Sequence, residues 1–160
     1  MQLIDPKSRV GYALRAWVVA VLPSLIYFCI LVSIGVDSLR PPAGTLDGAT
    51  AVYSILISPL LETALMLILA FLLGLLIPRS ERVRIILLAT TFALAHKYGG
   101  GWRQVIATIW PSLVYSVTLI TWLKKSAREA FVLTTLVHAL FNLTFFVVGV
   151  LGAFIADPEA

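Results

Sequence analysis

The chain has 160 residues, 60% of them hydrophobic and only 12% charged, with a mean hydropathy of +0.99. Soluble domains carry about 25% charged residues, so this composition excludes a water-soluble globule and indicates an integral membrane protein. Cys29 is the only cysteine, which excludes a disulfide framework or a thiolate metal cluster within one chain. The formal charge is +4, but the basic residues fall in short groups between apolar runs. That placement reads as a topology signal, and no nucleic-acid partner is expected.

Five apolar stretches follow in chain order, at about 11–36, 49–77, 83–96, 102–123 and 130–156. They predict an all-α, multi-pass transmembrane bundle of about five spans. The first run is longer than the ~7–15 residues of a signal-peptide core, so a retained helix is expected. The segment DSLRPPAGTLDG, from Asp37 to Gly48, reads as a loop because of its Pro-Pro pair and glycines. The third stretch is short against the ~20 residues that a span needs. The polar connections PRSERVR and KKSARE flank it and the next stretch, and the glycines 99–101 mark a backbone break.

Lys7, Arg9, Arg15, Arg79, Arg82, Arg84, Lys124, Lys125 and Arg128 fall on one side of this arrangement, nine of the twelve basic residues. Arg40, Lys97 and Arg103 are the others. The positive-inside rule therefore predicts a cytoplasmic N-terminus and an external C-terminus. No internal repeat suggests a duplicated transporter half.

Three polar groups stand out inside these runs. Glu62 is the only acid left once loops and termini are set aside, and the two histidines of the chain, His96 and His138, also fall in apolar segments. An ionisable side chain at the bilayer centre costs at least ~2.5 kcal/mol and normally faces the bundle interior or a wet cavity. Three such groups on three segments are therefore expected to meet. Ser54, Ser58 and Glu62 share one helix face by their four-residue spacing, as do Thr134, His138 and Asn142; Thr108, Ser112 and Tyr115 form a third polar stripe. Small hydroxyls also promote helix packing in membranes, which accounts for the Ser and Thr positions without a site. At 1.5 Å per residue, Glu62 and His96 lie ~22 and ~20 Å from the basic ends of their segments, and His138 ~12 Å.

Phe92 and His96 form the motif FALAH, and His138 and Asn142 form HALFN. With SPLLETALML ahead of them, this order resembles the CPBP family, the Rce1-like CAAX proteases and bacteriocin-processing (Abi) proteins. The likeness runs from about residue 50 to 147. It implies domain limits of 1–48 for an N-terminal helix and loop, 49–156 for a four-helix core, and 157–160 for a tail. It also implies a glutamate-dependent intramembrane endopeptidase: Glu62 and His96 activate water, and His138 and Asn142 stabilise the oxyanion. The family's first motif has a second Glu and an Arg, and here Thr63 and Leu67 occupy those positions.

The expected partners are membrane lipid, a membrane-associated peptide or protein substrate, and other transmembrane subunits, in the plasma membrane of a bacterium. No cofactor is expected. Two alternatives stay open. Glu62, His96 and His138 form a two-His, one-carboxylate set suited to zinc, although the His-Glu-x-x-His helix of zinc proteases is missing. A catalytically inactive pseudoprotease, kept as a scaffold or subunit of a membrane complex, is the other.

Overall fold

The computed structural model describes residues 8–34 and 47–156. Most of the predicted loop at Asp37–Gly48, together with Lys7 and Arg40, lies outside the described residues. Every regular element within them is helical: α1 (Arg9–Ser33), α2 (Gly48–Val52), a π-helical turn (Tyr53–Ile57), α3 (Ser58–Leu76), α4 (Glu81–Ala95), α5 (Lys97–Leu123) and α6 (Ala127–Ala156). The α2–π–α3 unit is continuous from Gly48 to Leu76 and opens on Asp47, whose carboxylate accepts the Thr50 N–H at 2.7 Å. Ser8 and Ser80 cap α1 and α4 in the same way.

Among the described residues, four helices are long and apolar enough to cross a membrane: Arg9–Ser33, Gly48–Leu76, Gly101–Leu123 and Ala127–Gly152. The third apolar stretch, counted above as a fifth span, is not among them. It forms α4, a helix of 15 residues, which rises only ~22 Å against a hydrocarbon core of ~30 Å. The chain turns at His96 and enters α5 at once. α5 breaks at Gly101, which has φ 66° and ψ −162°, a combination essentially confined to glycine. A Cβ there would meet no atom within 4 Å, so the penalty for a side chain lies in the backbone alone. Gly101→Ala should therefore lose ~1–3 kcal/mol of stability, read as a lowered unfolding midpoint in detergent.

Ion pairs show how the helix ends align. Arg9 at the start of α1 pairs with Glu129 in the first turn of α6, and Lys124 after α5 holds Glu81 of α4 at 2.6 Å. The start of α1, the end of α3, the start of α4, the end of α5 and the start of α6 thus share one end of the bundle. That end carries Arg79, Arg82, Lys125 and Arg128 as well.

α5 is the central helix: 56% of its span window is buried, against 22% in each of the other three. Its Tyr115, Leu119 and Trp122 pack with Leu88 of α4, Met66 of α3 and Val137 of α6. α1 comes close through Ala13, Ala16 and Ala20, all at 1% exposure or less, because small side chains let helix backbones approach where no hydrophobic effect drives association. Tyr12 then meets Trp122 edge-on, with centroids 5.3 Å apart. Leu14, Val18, Leu22 and Ile26 on its opposite side are exposed, as expected of a face turned toward lipid.

Three prolines lie inside helical stretches, Pro23, Pro59 and Pro111, where a proline leaves a carbonyl without its usual donor; at the first two a different helix supplies the replacement. Pro23 cannot donate to Val19, and Trp110 Nε1 of α5 donates to that carbonyl at 2.7 Å. In the π-helical turn, the Ser58 N–H bonds the Tyr53 carbonyl, and the next residue is Pro59. The Ser54 carbonyl thus lacks a donor at either the α or the π spacing. Asn142 Nδ2 of α6 donates to it at 2.8 Å.

Candidate functional site

Glu62 stands on α3 just past the π-helical turn, so its position depends on the Ser54–Asn142 clamp. From Leu76, the end of α3, it is ~21 Å along the axis, and His96 is ~22 Å from the start of α4. α6 begins at Ala127, earlier than the expected 130, which moves His138 to ~16 Å. That boundary removes about half of the apparent mismatch in depth.

The three groups converge. Glu62 Oε2 lies 3.8 Å from His96 Nε2 and 3.7 Å from His138 Nε2. Both separations are too long for a direct hydrogen bond and short enough for one water molecule to bridge. The other carboxylate oxygen, Oε1, accepts from Ser58 Oγ. Ser58 therefore fixes the carboxylate's rotation and leaves Oε2 to face the imidazoles.

Hydrogen bonding assigns the tautomers. His96 Nδ1 is 2.9 Å from the Phe92 carbonyl, an acceptor only, so Nδ1 carries the proton and Nε2 of the neutral ring presents a lone pair. A lone pair and a carboxylate oxygen facing each other repel unless a hydrogen-bearing group lies between them. His138 Nδ1 is buried without a partner. A bare lone pair costs less there than an unsatisfied N–H, so His138 carries its proton on Nε2, toward Glu62. Aromatic rings hold both imidazoles: Tyr115 stacks on His138 at 4.5 Å, and Phe92 meets His96 and His138 edge-on at 5.1 and 6.0 Å.

These groups lie on a cavity of about 430 Å³ enclosed by α1, the α2–α3 unit, α4, α5 and α6. Its size is within the ~300–1,000 Å³ typical of ligand sites. The three polar stripes read from the sequence converge on it: Ser54, Ser58 and Glu62; Thr108, Ser112 and Tyr115; His138 and Asn142. Thr134 is the exception, fully buried in the packed layer and absent from the lining. Asn142 borders the cavity but spends one amide hydrogen on Ser54.

Sequence reasoning missed two contributions. Tyr115 was visible only as a member of a polar stripe. Its hydroxyl, like that of Ser112, is buried at the cavity without a hydrogen-bond partner. α1, placed outside the four-helix core, lends Tyr27 and Phe28 to the wall. Aromatic residues in a lipid-crossing helix look alike whether they face lipid or a cavity, so no signal distinguished them.

Thr63 and Leu67 are part of the packing: Thr63 is fully buried and Leu67 packs on the core. A second carboxylate at position 63 would be desolvated with no cation at position 67 to meet it. The zinc alternative finds little support. No group of three His, Cys, Asp or Glu side chains among the described residues is arranged to hold a metal. Metal-bound imidazoles also normally anchor their second nitrogen, and His138 Nδ1 has no such anchor. No protein-family model, curated protein or solved structure matches the chain.

Proposed function

We propose that the chain is an intramembrane endopeptidase that hydrolyses a peptide bond of a membrane-associated peptide or protein with water activated by Glu62 and His96. The carrying observation is the Glu62 oxygen poised 3.8 and 3.7 Å from two imidazole nitrogens on the floor of a cavity. The resemblance of the Phe92–His96 and His138–Asn142 motifs to the CPBP family supports the same reading.

A water between Glu62 Oε2 and His96 Nε2 donates a hydrogen to each acceptor, which turns its lone pairs outward and raises their nucleophilicity. Its oxygen attacks the scissile carbonyl carbon and one of its protons passes to the Glu62–His96 pair. The carbonyl oxygen becomes an oxyanion and accepts from His138 Nε2–H and the Tyr115 hydroxyl. The C–N bond then breaks, the pair returns its proton to the leaving amine, and the hydroxyl stays on the new carboxyl group. Asn142 has one amide hydrogen left to join the oxyanion donors, with its main duty at Ser54.

Tyr115→Phe keeps the ring that stacks on His138 and removes only the hydroxyl. Loss of one oxyanion donor commonly costs ~10²–10³ in kcat, so kcat should fall by about that factor with KM nearly unchanged. An equal loss of stability and no change in kcat would return Tyr115 to a packing role.

The deciding experiment compares new protein N-termini in membranes holding the wild type or Glu62→Gln. Peptides that accumulate only with Glu62 support the peptidase. The packed state of Thr63 and Leu67, and the structural duty of Asn142, favour a second reading as an inactive scaffold or subunit of a membrane complex. Identical N-termini in both membranes, with a stoichiometric partner retained in mild detergent, would select it. Under the positive-inside rule the end bearing Arg9, Arg79 and Lys124 is cytoplasmic.

A further inference from the structure

The cavity runs in one direction along the bundle. Its floor, at Glu62, Tyr115 and His138, lies ~12–21 Å from the basic end. Below it the bundle is filled by Met66, Leu88, Leu119, Trp122 and Thr134, all 2% exposed or less. Toward the other end, the lining includes Leu31 near the end of α1, Tyr53 near the start of the α2–α3 unit, and Gln104 just past the break at Gly101. The shortness of α4 belongs to the same pattern. It ends at the level of His96, and no turn of α4 fills the space above.

The chemistry of the lining restricts the occupant. Among the described residues, no Lys, Arg or Asp borders the cavity, and Glu62 on the floor is the one carboxylate. An anionic lipid headgroup would find no cation among these residues to pair with and one acid to oppose it. Tyr27, Phe28, Phe141 and Phe145 offer apolar surface, while Ser54, Gln104 and Thr108 supply hydrogen-bonding groups along the walls. An alkyl chain needs none of those polar groups. A polypeptide backbone needs them at every residue.

From this geometry we infer that the cavity is loaded from the extracytoplasmic side by an uncharged peptide segment, with apolar side chains against Phe28, Phe141 and Phe145 and its backbone reaching down to Glu62. The inference rests on the peptidase reading for its peptide and on the positive-inside rule for its side.

Cysteine labelling in intact cells tests it without requiring hydrolysis. On a Cys29→Ala background, Gln104→Cys and, separately, Tyr53→Cys are exposed to a membrane-impermeant maleimide, with Arg79→Cys as the marker for the basic end. Both cavity cysteines should label from outside, and Arg79→Cys only after permeabilisation. An acetylated, amidated tetrapeptide of leucine and phenylalanine should slow cavity labelling severalfold, and the same peptide with two glutamates should not. Cavity labelling only after permeabilisation overturns the entry side. No protection by the neutral peptide, or equal protection by the acidic one, overturns the occupant. Labelling and protection as expected, in a protein that yields no Glu62-dependent N-termini, would uphold the entry inference and remove the peptidase.

Discussion

Glu62→Gln should abolish the accumulation of new N-termini, with a rate loss of at least ~10²-fold, the lower range for removal of a positioned general base. The substitution keeps the shape of the side chain. Its amide oxygen can still accept from Ser58 Oγ, as Glu62 Oε1 does, so the fold should change little. What changes is the atom facing the imidazoles. An –NH2 in place of Oε2 turns donors toward His96 Nε2, so the oxygen that would accept a hydrogen from the bridging water is lost. His96→Gln should show a comparable loss, because it removes the basic nitrogen that shares the water's proton. The same two variants should leave cavity labelling at Gln104→Cys intact, which separates a chemical defect from collapse of the site. If both retain wild-type cleavage, hydrolysis by this chain does not pass through Glu62.

The convergence of Glu62, His96 and His138 was legible in the sequence because an ionisable group in an apolar run has few inexpensive places to go. Three of them on separate helices have fewer still. The helical class was legible for the related reason that backbone polar groups in lipid must be satisfied within the segment. Other features were hidden. The limit of α4 depends on where its helical hydrogen bonds stop at His96, and the apolar letters before it read equally well as part of a longer span. The π-helical turn at Tyr53–Ile57 leaves no mark of its own except Pro59. Asn142 matched a motif position for an oxyanion donor, and only the folded chain reveals its bond to the Ser54 carbonyl.

That bond leads to the second expected result, which concerns stability. Trp110→Phe should destabilise the fold by ~1–3 kcal/mol, the cost of leaving a carbonyl unsatisfied on a helix surface turned to lipid, where no water replaces the donor. The ring remains and only the donor to the Val19 carbonyl is lost. Pro23→Ala should rescue much of this, since alanine restores an N–H that can return to Val19 within α1. The two changes are therefore non-additive, with a coupling within the ~0.5–3 kcal/mol seen for contacting residues. The α6 clamp obeys the same logic. Asn142→Leu orphans the Ser54 carbonyl, and Pro59→Ala offers a new N–H in the turn that carries Glu62. Here the readouts diverge in an informative way. If Asn142 acts through backbone position, the double variant regains stability and a large part of the cleavage rate. If its remaining amide hydrogen is an oxyanion donor, stability returns with Pro59→Ala while kcat stays low. Measured together, unfolding midpoints and cleavage rates for the two proline pairs separate the architecture of the site from its chemistry. In both pairs a proline has opened a backbone position that a neighbouring helix then closes, and in the second that closure holds the turn on which Glu62 depends.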